Sequence, residues 1–206
     1  MDPSTAKSMP QLIVIAGPNG AGKSTSAPHV LRRALRVTEF VNADVIARGL
    51  SAFDPERAAI SAGKIMLTRM HELADSRASF AFETTLASRT FAPWIASLLS
   101  QGYHFHLVYF WLPSPEMAIE RVEARVRSGG HFVPTATIER RYLGGIRNFF
   151  ELYQPLATSW RIYNNMDRSG AKLIASGGAE RKQRVYRAKE WKIIRQIAES
   201  QERGAG

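Results

Sequence analysis

Short apolar runs alternate along the chain with stretches in which apolar residues recur every three or four positions, a pattern that predicts strands alternating with helices. The run at residues 12–16 is apolar throughout and predicts a strand buried on both faces. The run at residues 79–83 predicts another strand, and so does the run at residues 103–112, which contains aromatic and β-branched residues. Because strands and helices alternate nearly throughout, we expect an α/β fold with a central, mostly parallel sheet and helices on both faces.

The remaining elements are shorter or less regular. Further strands are predicted at residues 39–42, 160–164 and 172–175, and helices at residues 54–75, 90–100, 114–128 and 138–156. A length of 206 residues suits one domain with a single core. We therefore expect one domain over residues 1–206, with residues 1–10 as an N-terminal extension and residues 181–206 as a basic C-terminal helix.

A glycine-rich segment follows the first strand and matches the phosphate-loop pattern G-x-x-x-x-G-K-[ST]. It consists of Gly17, Pro18, Asn19, Gly20, Ala21, Gly22, Lys23, Ser24 and Thr25. A helical stretch to residue 35 follows, so the backbone N–H groups of the turn would surround an anion at the positive end of a helix. This arrangement predicts a site for a nucleoside triphosphate, with Lys23 at the terminal phosphates and Ser24 as a ligand of Mg²⁺. A chance match in a glycine-rich turn is disfavoured by the strand before it and the Lys-Ser-Thr after it.

Two acidic residues lie at the carboxyl ends of predicted strands, where ligands collect in α/β sheets. Asp44 follows the strand at residues 39–42, and Glu83 ends the strand at residues 79–83. Asp44 has an alternative reading as the N-cap of the next helical turn. Glu83 is a candidate to hold Mg²⁺ through water or to bind substrate hydroxyls, and its alternative is a solvated strand end.

Two arginines on the helix at residues 114–128 form a further candidate anion site. Arg121 and Arg125 are four residues apart, and neither has an acidic residue three or four positions away. Like charges at this spacing repel by a few tenths of a kcal/mol, so an anionic ligand would relieve the repulsion. The alternative is that both long side chains cover apolar surface and keep their charges in water.

Charge and composition narrow the functional classes. Cysteine is absent, so disulfides and thiolate chemistry are excluded, and no stretch approaches the ~20 apolar residues of a membrane span. We expect a soluble cytoplasmic protein. The net charge is +10, and residues 113–206 contribute 17 basic and 10 acidic side chains against 11 and 8 in residues 1–112. A nucleotide-phosphate site or a nucleic-acid partner would account for this excess.

Together these segments make the chain resemble the zeta toxin family and its chromosomal relatives, which are P-loop kinases whose type members phosphorylate UDP-N-acetylglucosamine. The matching segments are residues 17–25, 41–44, 82–86, 119–122, 129–134 and 163–165. Their order and spacing are more specific than the phosphate loop alone. The resemblance implies a three-layer P-loop kinase-like fold, ATP and Mg²⁺ as cofactors, and an antitoxin protein as a candidate partner.

The resemblance also implies roles for individual residues. Asp44 corresponds to the catalytic base, and Arg121 to a lid arginine that contacts the γ-phosphate. The substrate contacts expected from the matching segments are Asn42, Asp44, Glu83, Thr84 and Thr85. The second lid arginine of the toxins aligns near His131, so Arg125 or Arg140 would have to replace it.

We therefore expect an enzyme that transfers the γ-phosphate of Mg-ATP to a hydroxyl group, with UDP-N-acetylglucosamine or a related nucleotide metabolite as the acceptor. One alternative is a P-loop ATPase or nucleotide switch, which needs no acceptor site. The other is a nucleic-acid-binding protein or polynucleotide kinase that uses the basic second half of the chain. Among partners, a small-molecule acceptor is favoured over nucleic acid, and no membrane partner is expected.

Overall fold

The computed structural model describes residues 9–30, 37–51, 57–130, 132–167 and 170–202, and it confirms the expected α/β fold. Its strands are β1 (Gln11–Ala16), β2 (Glu39–Val41), β3 (Phe80–Thr84), β4 (His104–Trp111), β5 (Ser159–Asn164), β6 (Lys172–Gly178) and β7 (Arg181–Val185). Its helices are α1 (Lys23–Val30), α2 (Ala43–Leu50), α3 (Ala59–Asp75), α4 (Phe91–Ser100), α5 (Pro115–Arg127), α6 (Thr135–Asn148) and α7 (Ala188–Glu202). A π-helical turn, Phe149–Tyr153, continues α6.

The strands of the described residues form one seven-stranded sheet in the order β2-β3-β1-β4-β5-β6-β7. The first five strands in this order are parallel, whereas β6 and β7 are antiparallel to their neighbours. Parallel strands have their carboxyl ends at one edge of the sheet. The segments that follow β1, β2 and β3 therefore lie on the same rim, as the sequence predicts.

The core is centred on β1 and β4, the middle strands of the parallel part of the sheet. Leu12, Ile13, Val14 and Ile15 are fully inaccessible to solvent, as expected of a strand covered on both faces. On β4, the large side chains of Tyr109, Phe110 and Trp111 are equally buried. Within the described part of the chain, no helix has the length and apolar composition to cross a membrane.

The expected C-terminal helix over residues 181–206 is wrong at its start. Arg181–Val185 form strand β7, which pairs antiparallel with β6, and α7 begins only at Ala188. The chain reverses at residues 179–180, and the free edge of β6 then offers hydrogen-bonding groups to the next segment. All five side chains of β7 are exposed, so no apolar pattern marks it as a strand. Val185, the last residue of β7, is 41% exposed and contributes no buried surface to the core.

Other expectations fall outside the described residues and remain predictions. They concern residues 1–8 of the N-terminal extension, the continuation of the first helix over residues 31–35, the helix start at residues 54–56, and His131. Between the strands predicted at residues 160–164 and 172–175 the sequence also predicts a turn, and its residues 168–169 lie outside the described part as well.

Aromatic stacking attaches α7 to the sheet. The indole rings of Trp191 on α7 and Trp160 on β5 lie nearly parallel, with centroids 5.9 Å apart. Phe150 contacts the Trp191 ring edge-to-face at 5.6 Å, and the Arg195 guanidinium lies 4.8 Å from the centroid of Phe150. Ile194, one turn along the same face, is fully buried. The helix is therefore held by this aromatic cluster together with Ile194 and Ala198, which are buried on the same face.

This cluster makes Trp191 a stability determinant. Trp191→Ala removes the ring that stacks on Trp160, and we expect the free energy of unfolding to fall by about 2–3 kcal/mol, measured by urea denaturation. Ile193→Ala is the matched control on the same helix, because Ile193 is 43% exposed, and it should change the value by less than about 0.5 kcal/mol. Equal effects of the two substitutions would show that the cluster does not anchor α7.

Candidate active site

The phosphate loop joins β1 to α1, and its backbone conformation requires glycine at defined positions. Gly17 has φ +140° and Gly22 has φ +72°, values that side chains rarely allow. A Cβ at Gly17 would lie 2.2 Å from the carbonyl oxygen of Phe110, and one at Gly22 would lie 2.7 Å from Nδ2 of Asn165. Both conformation and close approach therefore explain the glycines of this turn.

Two side chains from outside the loop hold it in place through main-chain groups. Asn165, which follows β5, donates through its backbone N–H to the Trp111 carbonyl (3.1 Å) and through Nδ2 to the Ala21 carbonyl (2.7 Å). The Arg121 guanidinium on α5 donates to the carbonyl of Asn165 (2.9 Å) and, at 3.4 Å, to that of Gly20. It also donates to the carbonyl of Met166. The sequence places Asn165 in a matching segment but gives it no role, and this contact supplies one.

Lys23 is a buried cation at the centre of the site, with only 7% of its surface exposed. Its ammonium donates to the Pro18 carbonyl at 2.9 Å and lies 3.7 Å from Oε1 of Glu83. Burial lowers the pKa of Lys23, whereas the negative charges of Glu83 and Asp44 raise it and the Arg125 guanidinium lowers it. All three ionisable groups are therefore close enough to act on the ammonium.

Glu83 connects three strand ends of the rim. Its Oε2 accepts hydrogen bonds from the Ser24 hydroxyl and from Nδ2 of Asn42, both at 2.7 Å. These contacts, together with the Lys23 ion pair, exclude the alternative of a solvated strand end. A hydroxyl beside a carboxylate offers the hard oxygen ligands that Mg²⁺ prefers, so Ser24 and Glu83 fit that ion.

Asn42, rather than Asp44, is the N-cap of α2. Its side-chain oxygen accepts from the backbone N–H groups of Asp44 (2.8 Å) and Val45 (3.1 Å). The N-cap alternative for Asp44 is therefore wrong. The Asp44 side chain is exposed in the first turn, and its charge raises the pKa of both Lys23 and Arg141. Its carboxylate thus lies on the phosphate-loop side of the rim.

The two threonines at the carboxyl end of β3, Thr84 and Thr85, have different surroundings. The Thr84 hydroxyl accepts from the Leu86 N–H at 3.1 Å, in a turn where Leu86 has φ +63°. Thr85 lines a cavity of about 560 Å³ between this turn and α6. A Cβ at Gly145 would lie 2.5 Å from the Thr85 carbonyl oxygen, so the glycine lets the helix approach closely.

This cavity, which we call the α6 cavity, is basic. It is lined by Thr85, Ala87, Ser88, Arg140, Arg141, Leu143, Gly144 and Arg147. Arg147 has a carboxylate partner at 3.8 Å, Oε1 of Glu151. No acidic side chain is among the lining residues. The α6 cavity therefore suits a ligand with negative charge.

Arg141 joins the α6 cavity to the phosphate loop and is the site residue that the sequence did not single out. Its Nη1 lies 3.5 Å from Oδ1 of Asn19. Burial lowers the pKa of Arg141, as does neighbouring Arg140, whereas Asp44 raises it. The sequence shows Arg140 and Arg141 as a pair on a predicted helix, but helical spacing alone does not tell which of them faces the loop. Lys23 and Ser24 belong to the phosphate loop: Lys23 donates to the Pro18 carbonyl and Ser24 to Glu83. Asn42 also donates to Glu83, and Arg121 donates to the Gly20 carbonyl of the loop.

A protein-family model described as an AAA domain matches residues 12–142, more than half of the chain. The chain belongs to this AAA-domain family. The matched segment runs from β1 to α6 and includes the phosphate loop, Asp44, Glu83, Arg121 and Arg125.

Individual relatives carry less functional information. An uncharacterised protein of Haemophilus influenzae is 29% identical over 130 residues, covering 63% of this chain and 91% of that protein. Among solved structures, the AvrRxo1-ORF1:AvrRxo1-ORF2 complex with sulphate ions matches with a TM-score of 0.71 and 15% identity, over 90% of this chain and 63% of the other. The same complex with ATP gives a TM-score of 0.69 and 16% identity, with the same coverage. This chain thus spans less than two thirds of the AvrRxo1 chain.

The PezAT chromosomal toxin–antitoxin system of Streptococcus pneumoniae is a further structural match, with a TM-score of 0.62 and 15% identity over 95% of this chain and 87% of the other. Likeness at such identities concerns the fold. It confirms the resemblance to the zeta toxin family at that level and the kinase-like P-loop architecture.

The contacts of Lys23 predict a change in pH dependence when Glu83 is neutralised. Burial already lowers the pKa of Lys23, and the Glu83 carboxylate opposes that shift. Glu83→Gln keeps the shape but removes the charge, so the pKa of Lys23 should fall further and the charged ammonium should be lost at lower pH. We expect the alkaline limb of kcat/KM for ATP turnover, which reports the free enzyme, to move to lower pH.

The matched control for this experiment is Glu72→Gln, which neutralises an exposed carboxylate on α3 that pairs with Arg69. Its alkaline limb should coincide with that of the parent. If the Glu83→Gln limb coincided as well, Glu83 would not be the group that supports the Lys23 charge.

Proposed function

We propose that the protein is a kinase that transfers the γ-phosphate of Mg-ATP to a hydroxyl group of a negatively charged small molecule. The observation that carries this proposal is the basic α6 cavity, which adjoins the phosphate loop through Arg141 but is separate from it. A nucleotide switch needs only the loop. A second cavity beside the phosphate loop supports the binding of a second substrate, the phosphate acceptor.

The nucleotide half of the site rests on the phosphate loop and Lys23. Backbone N–H groups of the loop would bind the phosphates, and the buried ammonium would neutralise the terminal ones. Ser24 and Glu83 would hold Mg²⁺, directly or through water. The ion supplies neutralisation of phosphate charge when bound. A solved relative in fold, AvrRxo1-ORF1:-ORF2, was crystallised with ATP, which supports ATP as the nucleotide here.

The acceptor half would be the α6 cavity. Arg140 and Arg147 would bind an anionic group of the acceptor, and the hydroxyls of Thr85 and Ser88 would bind its polar groups. UDP-N-acetylglucosamine combines a diphosphate with sugar hydroxyls and is the first acceptor to test. Asn42 would serve the site indirectly, because it orients Glu83 and caps the helix that carries Asp44.

Asp44 would be the base. It follows β2 on the rim, and its charge acts both on Lys23 of the loop and on Arg141 of the α6 cavity. The acceptor oxygen attacks the γ-phosphorus as the bond to the β–γ bridging oxygen breaks, and the hydroxyl proton passes to the Asp44 carboxylate. Because the transition state is loose, this proton leaves late, and positioning matters more than basicity.

Arginines would neutralise the charge on the transferred group. Arg141 contacts the loop from α6, and the charge of Arg125 reaches Lys23 from α5, so both are candidates for the γ-phosphate. Arg121 uses its guanidinium on three backbone carbonyls, an arrangement that supports a role in shaping the loop as well as the lid role implied by family resemblance. An antitoxin partner belongs to the same proposal, supported by the complexes among the structural matches.

The decisive test separates kinase from hydrolase through Asp44. Asp44→Asn keeps the side-chain shape, so ATP affinity should stay within a few-fold, while phosphate transfer should fall by roughly 10²- to 10⁴-fold. Transfer is detected as the mass of one added phosphate, first on UDP-N-acetylglucosamine and then on a panel of anionic metabolites. Asp75→Asn, at the exposed end of α3, is the matched control and should behave as the parent.

Two outcomes distinguish mechanism from substrate. If another metabolite gains the phosphate and Asp44→Asn cannot transfer it, the kinase mechanism holds and only the first acceptor is discarded. If no acceptor is found and Asp44→Asn hydrolyses ATP as fast as the parent, the protein is a nucleotide hydrolase or switch.

Arg141 provides an independent prediction. Its guanidinium would act on charge that develops during transfer, so Arg141→Ala should lower kcat by about 10²-fold or more while ADP affinity changes little. Arg127→Ala, an exposed arginine on α5, is the control and should leave kcat within about twofold. An unchanged kcat in Arg141→Ala, with a loss in Arg125→Ala, would assign the role to Arg125 instead.

A further inference from the structure

Part of the basic excess of the second half of the chain lies away from the phosphate loop. A groove of about 630 Å³, which we call the β5–β7 groove, runs across the last three strands. Its cationic lining residues are Arg161 on β5 and Arg181, Lys182 and Arg184 on β7. The pairing of Arg181 with Gly178 places it at the amino end of β5, whereas the phosphate loop follows the carboxyl end of β1. The groove shares no lining residue with the α6 cavity.

The four cations of the groove lack the partners that other basic residues have. Carboxylates pair with Arg69, Arg89, Arg147, Lys172, Arg187 and Arg195. No acidic residue in the described part of the chain forms an ion pair with the four groove cations. The groove lining itself contains no acidic side chain. Four like charges around one groove repel each other, so the folded chain gains nothing from this arrangement without an anion.

Protection of a sheet edge does not explain the cluster. Lysine and arginine on an edge strand such as β7 discourage strand pairing between molecules. Arg161, however, is on the inner strand β5, in register with Ser176 of β6, which is in turn paired with Arg184 of β7. These side chains share one face of the sheet across three strands. The positive potential extends to β4, where burial, together with the charges of His104, Arg161 and Arg181, lowers the pKa of His106 to about 4.

We propose that the β5–β7 groove binds single-stranded nucleic acid. Four unpaired cations along an open groove suit a backbone with repeated phosphates, whereas one small anion would occupy only one or two of them. The aromatic ring of Tyr186 lines the same groove and is 55% exposed, so it offers a face on which a base can stack. An acidic polypeptide would match the charges but has no base for this ring. The groove would thus bind a polynucleotide while the separate rim of the sheet binds ATP.

The test is the affinity of the full chain for a fluorescein-labelled single-stranded RNA of twelve nucleotides, measured by anisotropy across a salt series. The groove variant Arg181→Gln/Lys182→Gln/Arg184→Gln should bind at least tenfold more weakly. Its plot of log affinity against log salt should flatten by about 2, since each lost phosphate contact contributes about 0.7 to the slope. Tyr186→Ala should weaken binding about fivefold or more without changing that slope.

The control variant removes three positive charges at positions outside the β5–β7 groove. Arg69→Gln/Arg89→Gln/Arg195→Gln replaces three arginines that have carboxylate partners, and it should bind the RNA within about twofold of the parent. Equal losses in the two triple variants would show a general charge effect and overturn the proposal. Tighter binding of a glutamate-rich twelve-residue peptide than of RNA, lost in the groove variant, would also overturn it and assign the groove to an acidic polypeptide.

Integrity of the variants is checked by thermal unfolding and by ADP binding. Both should be unchanged in the groove variant, because its three side chains are exposed and distant in the fold from the phosphate loop. If the triple substitution lowers the unfolding temperature, Arg184→Gln alone replaces it, with a smaller expected loss of about threefold. RNA affinity of that variant equal to the parent's would contradict the proposal.

Discussion

The buried ammonium of Lys23 is the constraint around which the site is arranged. A charge removed from water costs free energy unless nearby groups replace the lost solvation. Here the Pro18 carbonyl and the Glu83 carboxylate do so, and each depends on a different element of the fold. The loop carbonyl is available because the backbone turns sharply at glycine, and Glu83 is available because β3 lies next to β1. In the proposed complex, nucleotide phosphates would add further negative charge beside the same buried cation.

The parts of the fold that were predictable from the sequence are those with a local signal. The buried run of β1 and the glycine pattern after it both require particular residue types at each position, and the structure has both where the sequence predicts them. Strand β7 has no such signal, because its exposed side chains carry no apolar alternation and its pairing depends on the free edge of β6. It was therefore expected as helix. The pattern of charged and apolar residues predicts the secondary structure of a segment reliably only when side chains of that segment are buried in the core.

For the candidate site, the limit was the direction of side chains in space. The sequence places Asp44 past a strand end, but it cannot tell a cap from an exposed carboxylate until the side chain of Asn42 is seen to fill the capping position. Similarly, Arg140 and Arg141 are adjacent in sequence, and only the packing of α6 determines that Arg141 lies against Asn19. The sequence attributed the basic excess of the second half to a nucleotide-phosphate site or a nucleic-acid partner, and the structure shows basic clusters both in the α6 cavity and in the β5–β7 groove. The net charge of a segment does not show where its charged side chains lie on the folded protein.

The attachment of the phosphate loop to Arg121 has a consequence for how the protein responds to its surroundings. The acceptors of this guanidinium are peptide carbonyls of Gly20, Asn165 and Met166, which do not titrate and carry no net charge. Added salt or a change in pH therefore leaves these three hydrogen bonds unchanged, even where it weakens the attraction between the protein and anionic molecules. Binding of anionic ligands therefore depends on salt, whereas the hydrogen bonds between Arg121 and the loop do not. A lysine at this position would retain the charge but not the planar fork of donors, so natural variation should preserve the guanidinium more strictly than the charge.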